Sequence, residues 1–315
     1  MRIRTLAVLP AALLALVMAA MAAPRGPVAP SAPQDSAQTA GRVRSSASTM
    51  VIELNGKTHD LLSAEGGVMV GSVQVVGGVK SVGKAACQPL VVKVPGHVAP
   101  TMLELHAKGE FVSGAVVNFD AEGKPVRRHE FSNALITEIS LGALDASSKD
   151  ALTATVVLEP ASSVVRSGKD ATGKRPAKDE QPKSMLRSNF RITIDGQTYP
   201  RTVSLGAIES KSARKGTAIG KAGTAVDSPN LKIVLSALER DALEAWYRET
   251  VLEGRGSNKP LRVEMLDGSM KNVLFALESP SVGILSLRDI DLNAQAARIE
   301  VELCVNGWNL VRKAG

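Results

Sequence analysis

Apolar and polar positions alternate with a period of two over much of this chain, and each such run predicts a half-buried strand. At 299–305, Ile299, Val301, Leu303 and Val305 are separated by Glu300, Glu302 and Cys304, so one face enters a core and the other, with Cys304, meets solvent. Residues 152–158 show the same pattern, and 231–235 (LKIVL) make a third run. At 52–58 (IELNGKT) and 192–198 (ITIDGQT) an alternating run meets Asn-Gly or Asp-Gly, a pair that suits a tight hairpin because both central residues must take positive φ. Residues 261–266 and 272–277 flank Asp267 and Gly268 as a further hairpin. The period becomes helical at Leu238, Ala242, Leu243, Trp246 and Tyr247, with Ser236 as N-cap and Glu239 completing a capping box. A shorter helix is expected at 100–108, opened by Pro100.

These features come twice, in the same order. The two hairpin runs answer each other, as do 82–85 (VGKA) and 219–222 (IGKA), 118–123 (NFDAEG) and 265–268 (MLDG), and 144–147 (LDAS) and 290–293 (IDLN), each followed by an alternating strand. Residues 50–159 and 190–315 therefore read as two copies of one unit. Between them, 160–189 is rich in Gly, Pro, Ser and scattered charge and reads as a charged flexible linker. The expected fold is mainly β: two tandem antiparallel β-barrel or sandwich domains, each with one short α-helix. Few-stranded sheets leave edges that need covering, and the closing strands at 152–158 and 299–305 are candidate pairing surfaces.

The N-terminus changes the setting. Arg2 and Arg4 precede an apolar run at 6–20, and Ala20, Met21 and Ala22 fit a small-x-small cleavage site. A signal peptide at 1–22 and a Pro/Ala/Ser-rich disordered leader at 23–49 follow, with a secreted or periplasmic location and no stable membrane span after cleavage. Export permits a disulfide, and Cys87 and Cys304 are the only cysteines, so one bond is possible. The net charge of +7 resides in the N-terminal segments and in 160–189, leaving the two copies with no basic excess. With only Phe 5, Trp 2 and Tyr 2, platforms for base stacking are scarce as well. Nucleic-acid binding by the folded parts is not expected.

Catalytic and cofactor signals are weak throughout. Residues 78–85 (GVKSVGKA) approach a phosphate-binding loop, but Ala85 stands where Ser or Thr must hold magnesium, and repeat ancestry explains the Gly-Lys-Ala better. The four histidines, His59, His97, His106 and His129, all lie in the first copy without metal-ligand spacing. No Gly-x-Ser-x-Gly, His-Glu-x-x-His or Cys-x-x-Cys occurs. Asp145 and Asp291 hold matching places and read as turn residues, while Trp246 and Tyr247 at helical spacing beside Leu243 read as core. No enzyme, cofactor or metal site is expected.

With these residues in view, the second copy resembles the tail-tube protein family of contractile phages and related injection systems, whose fold is shared with the haemolysin-coregulated tube protein of type VI secretion. The resemblance runs through the helix with Leu243, Trp246 and Tyr247, the hairpin around Asp267 and Gly268 leading to Phe275, and Asp291 and Asn293 before the closing strand. In the first copy it runs through 116–123, then Phe131 and Asn133 in 131–134 (FSNA), then 153–158; at 276–278 (ALE) the second copy departs from the residues that follow Phe131. The resemblance implies a barrel-like unit with one helix that assembles into rings around a hollow tube, without catalysis, by self-association or with other tail-tube-like subunits. The alternative is a secreted or periplasmic binding module that keeps the fold without a tube, using loops at 66–83 or 201–227.

Overall fold

The computed structural model describes residues 50–175, 184–212, 226–290 and 297–312. The expected signal peptide and leader, together with Asp291 and Asn293, lie outside the described residues. The first repeat contains β1 (Met50–Leu54), β2 (Lys57–Asp60), β3 (Ser63–Gly66), a hairpin of β4 (Met69–Val76) and β5 (Val79–Cys87), and β6 (Leu90–Pro95). Then come helix α1 (Ala99–Lys108), β7 (Val112–Phe119), β8 (Pro125–Leu141), β9 (Leu144–Asp145), β10 (Thr153–Glu159) and β11 (Ser162–Ser167). The second repeat contains β12 (Phe190–Ile194), β13 (Gln197–Thr198), β14 (Thr202–Leu205), β15 (Ile208–Ser212), β16 (Val226–Asp227) and β17 (Leu231–Ser236). Helix α2 (Arg240–Tyr247), β18 (Lys259–Leu266), β19 (Val273–Ile290), β20 (Arg298–Val305) and β21 (Asn309–Arg312) complete it.

The fold is mainly β, and every strand pairing is antiparallel. The strand order is β2-β1-β7-β8-β10-β6-β3 in the first repeat and β13-β12-β18-β19-β20-β17-β14 in the second, the same path strand for strand. The turns explain part of this identity. Asn55 and Gly56 take φ of 48° and 81°, Asp195 and Gly196 take 52° and 78°, and each pair closes the same tight hairpin. The closing strands bury Ala154, Val156 and Leu158, or Ile299, Val301 and Leu303, in one core that draws side chains from both repeats.

Several expectations change. The closing strands are not edges: β10 lies between β8 and β6, and β20 between β19 and β17, so their backbone groups are already used. The stretch 160–189 is not linker throughout, because β11 pairs with β8 from Ser162 opposite Ser132 to Ser167 opposite Arg127. Beyond it, Ala171 is buried, Arg128 Nη1 donates to the Thr172 carbonyl at 3.0 Å, and the backbone at Gly173 closes over Val117. This segment covers a small apolar patch of Val51, Ala115, Val117 and Phe119 on the outer face of β1 and β7. The regions 66–83 and 201–227, read as recognition loops, contain β4, the start of β5, β14, β15 and β16.

The second helix also departs from its capping box. Ser236 accepts from the Leu238 amide at 3.4 Å, but its own N–H is spent on the Arg201 carbonyl at 3.0 Å, so Glu239 has no reciprocal bond to make and instead faces Arg201 at 3.8 Å. The segment opens as a 3-10 turn at Ala237–Glu239 and closes as a π turn at Arg248–Leu252, and Leu238 projects into solvent.

Candidate functional site: the joint between the repeats

The chemistry-bearing residues do not converge. Trp246 is buried, with its indole N–H donating to the Ser257 carbonyl at 3.0 Å and Lys259 over its ring at 5.6 Å; Leu243 is buried and Tyr247 packs on the same core. Phe131 and Phe275 are both buried, but not at equivalent places. Gly114 faces Phe131 and Leu261 faces Ser279, each ahead of a bulge on the long strand, so the residue that matches Phe131 is Ser279. Asn133 sits in the first bulge at φ 48°, its backbone N–H donating to Ser113 Oγ at 3.1 Å. Cys87 and Cys304 are free thiols, and Cys87 Sγ donates to the Gly67 carbonyl at 3.2 Å.

The aspartates organise turns. Asp145 Oδ1 accepts from the amide and hydroxyl of Ser147 at 2.8 and 2.6 Å, which holds its carboxyl below the usual range. Asp267 is held far below it by the Asn272 side-chain amide at 2.7 Å and the Ser269 hydroxyl at 2.7 Å, with backbone amides adding to the effect. The loop is wider than a two-residue turn: the Asp267 amide reaches the Asn272 carbonyl, and the positive φ falls on Met270, not Gly268. Glu264 is nearly buried; burial alone raises its carboxyl, but Arg262 and Arg191 outweigh this and lower it.

Among the described residues no group of His, Cys, Asp and Glu could hold a metal, and no helix is long and apolar enough to cross a membrane. His97 Nε2 lies 3.6 Å from Asp60, and burial lowers both His97 and its neighbour His59. A depression of about 500 Å³ beside α2 is lined by Asp241, Glu244, Arg248, Glu249, Glu253 and Arg255, charges of both signs, with Arg248 paired to Glu244 and Arg255 to Glu253.

The structurally distinctive place is where the repeats meet. Strand β14 stays paired with β17 and takes β9 of the first repeat on its outer edge, Leu205 opposite Leu144 and Ser204 opposite Asp145, and the Ala146 amide donates to the Val203 carbonyl at 2.9 Å. Strand β15 pairs with the end of β8, Ile208 opposite Leu141 and Ser210 opposite Ile139. Ile139, Leu141, Leu144 and Ile208 are buried there. The polar centre is His106 on α1. Its Nδ1 lies 3.0 Å from the Ile136 carbonyl, which can only accept, so Nδ1 carries a proton and in the neutral ring Nε2 accepts from Ser210 Oγ at 2.9 Å. Lys211 Nζ reaches Glu138 at 3.2 Å, and Arg312 on β21 pairs with Glu104 on α1. Periodicity supplied no signal for this joint, because it shows that a strand forms and not which strand it meets.

No family model matches the chain, and no curated protein matches it. Solved structures similar to it include the tube-terminating cap of the anti-feeding prophage, at 16% identity over 38% of this chain and 89% of that one, with a TM-score of 0.33. Another is Hcp1 from Flavobacterium johnsoniae, at 14% identity over 39% of this chain and 99% of that one, with a TM-score of 0.32. The sheath-tube complex of an extracellular contractile injection system in its extended state shows 14% identity over 43% of this chain and 100% of that one, with a TM-score of 0.34.

Proposed function

We propose that this chain is an exported, non-enzymatic structural protein built from two tail-tube-like units, 50–159 and 190–315, that self-associates through strand edges. One observation carries the reading: the units are joined edge to edge, β15 on β8 and β14 on β9, so a repeat of this kind recognises another repeat by main-chain pairing over buried Ile139, Leu141 and Ile208. A joint between unlike faces leaves the complementary face unused at each end of the tandem, and such a joint propagates to a closed ring or an open filament. Export rests on the basic, apolar and small-residue order of residues 1–22. Sedimentation of the chain lacking residues 1–22, over a wide concentration range and with negative-stain imaging, is the test of assembly. Oligomers with repeated symmetry are expected, and a strict monomer overturns the structural reading in favour of a binding module. N-terminal sequencing of the protein from its native host should find Ala23 first, and an intact Met1 overturns export.

A further inference from the structure

The joint inside the chain identifies the two surfaces that its repetition between chains requires. The acceptor in the first repeat is the far side of β8 at 138–141, which β15 covers. Ala154 and Ile299 hold equivalent places in the two closing strands, opposite Val94 on β6 and Leu235 on β17, and on their other side Ala154 faces Leu141 while Ile299 faces Asp289, so the matching acceptor on β19 is at 286–289. Among the described residues this stretch pairs with β20 on one side only. Leu285 beside it is 43% exposed, and Arg288 and Asp289 are exposed where Leu141 is buried.

The donor in the second repeat is the antiparallel pair of β15 and β16, placed between the third strand and the strand that leads into the helix. In the first repeat β4 and β5 hold that place. Within the chain their nearest neighbour strand is β11. Val73 and Val82, directly opposite each other, are 71% and 83% exposed, and Val75, Val76 and Val79 are exposed with them. A run of exposed valines on a hairpin with only Lys80 and Lys84 as charges is an aggregation liability unless something covers it.

We propose that the β4–β5 hairpin of one copy docks on the β19 edge at 286–289 of a second copy, repeating between chains the joint that β15 and β8 make within one. This rests on the self-association reading and adds its two faces and its head-to-tail sense. The experiment uses three full-length chains lacking residues 1–22, compared by sedimentation: the parent, Val73→Glu/Val82→Glu, and Leu285→Glu/Ser286→Glu. Each variant alone should sediment as a monomer at concentrations where the parent is assembled, while its circular dichroism keeps the parent's strand signal, because Val73, Val82 and Leu285 are exposed and Ser286 is half-buried. Mixed one to one, the variants should give a dimer and nothing larger, since one intact hairpin meets one intact edge. Parent oligomers that persist in either variant overturn the proposal and leave self-association standing. A mixture that stays monomeric also overturns it. A parent that is itself monomeric removes both readings.

Discussion

The two repeats follow one strand path, yet position for position they treat the same sheet edge in opposite ways. In the first repeat the end of β8 carries Ile139 and Leu141, both sealed under β15; in the second the end of β19 carries Leu287, half covered, and Asp289, paired with Arg240 and open to solvent. The helices beside these edges differ in step: α1 contributes His106, buried with both ring nitrogens used, while α2 turns Arg240 and Glu244 outward, 2.8 Å apart. A neighbour that is always present permits an apolar edge, whereas an edge that the free chain exposes must remain soluble by carrying charge. The same backbone position is thus core or surface according to what sits next to it.

The hardest test of this contrast exchanges the two side chains. Leu141→Asp puts a carboxylate at a buried position in the apolar joint between the repeats, and should cost about 3 kcal/mol or more. Asp289→Leu should alter the stability of the monomer by no more than about 1 kcal/mol, while strengthening association. Denaturant unfolding of the two variants measures both, and similar costs would mean that the edges are equivalent after all.

How far the sequence told of this depends on whether a feature is local. The Asn55-Gly56 and Asp195-Gly196 turns, the alternation at 152–158 and 299–305, and the helix around Leu243 and Trp246 are set by neighbours in the chain and were legible. Strand β11 was not, because Val164 and Val165 are adjacent instead of alternating and sit among charges. Phe131 and Phe275 invited a false match because a longer turn loop in the second repeat and the bulges displace one long strand relative to the other. The joint was invisible for a different reason: His106, Ser210 and Leu141 are far apart in sequence, and nothing in their local patterns names the partner.

A milder break of the joint acts through its hydrogen bonds. Ser210→Ala leaves His106 Nε2 buried beside a methyl group with no donor, and should cost about 1–2 kcal/mol. Ser279, also buried but within the second repeat at a bulge, bonds only weakly to the Ser281 carbonyl at 3.4 Å, so Ser279→Ala should cost less. Equal losses in thermal unfolding would show that Ser210 has no special role between repeats.

The repeats also differ in their response near neutral pH. All the histidines lie in the first repeat, and burial lowers His59, His97 and His129 below the ordinary value near 6.5. Each binds its proton less readily folded than unfolded, so its share of stability is present above about pH 6.5 and is lost as pH falls through the folded value. At lower pH the carboxylates of both repeats respond: Glu130 and Asp145 in the first and Glu264 and Asp267 in the second, held below the usual carboxylate range, contribute above the unfolded carboxylate value and lose that contribution in stronger acid. Thermal unfolding followed from pH 8 to pH 3 should therefore fall in two stages. His59→Gln/His97→Gln should flatten the upper stage alone and Asp267→Asn the lower, and a variant that moves the opposite stage contradicts the assignment.

The smallest effect concerns one residue in the matching hairpin loops. The Asp120 amide reaches the Lys124 carbonyl and the Asp267 amide the Asn272 carbonyl, so both loops begin alike. In each, the fourth residue takes the left-handed conformation: Gly123 at φ 81° in the first repeat and Met270 at φ 60° in the second. A side chain there crowds the following carbonyl, at a cost of roughly 1–2 kcal/mol, which glycine avoids while adding up to about 1 kcal/mol of unfolded-chain entropy. Gly123→Ala should accordingly destabilise by about 1 kcal/mol, and Met270→Gly should stabilise by about 0.5 kcal/mol. Gly268, although it follows Asp267 directly, has no positive φ and open space around it, so Gly268→Ala should be neutral or slightly favourable. A loss at Gly268 with no gain at Met270, read as midpoint shifts in denaturant, would place the left-handed residue where the Asp-Gly pattern alone puts it and undo the equivalence of the two loops.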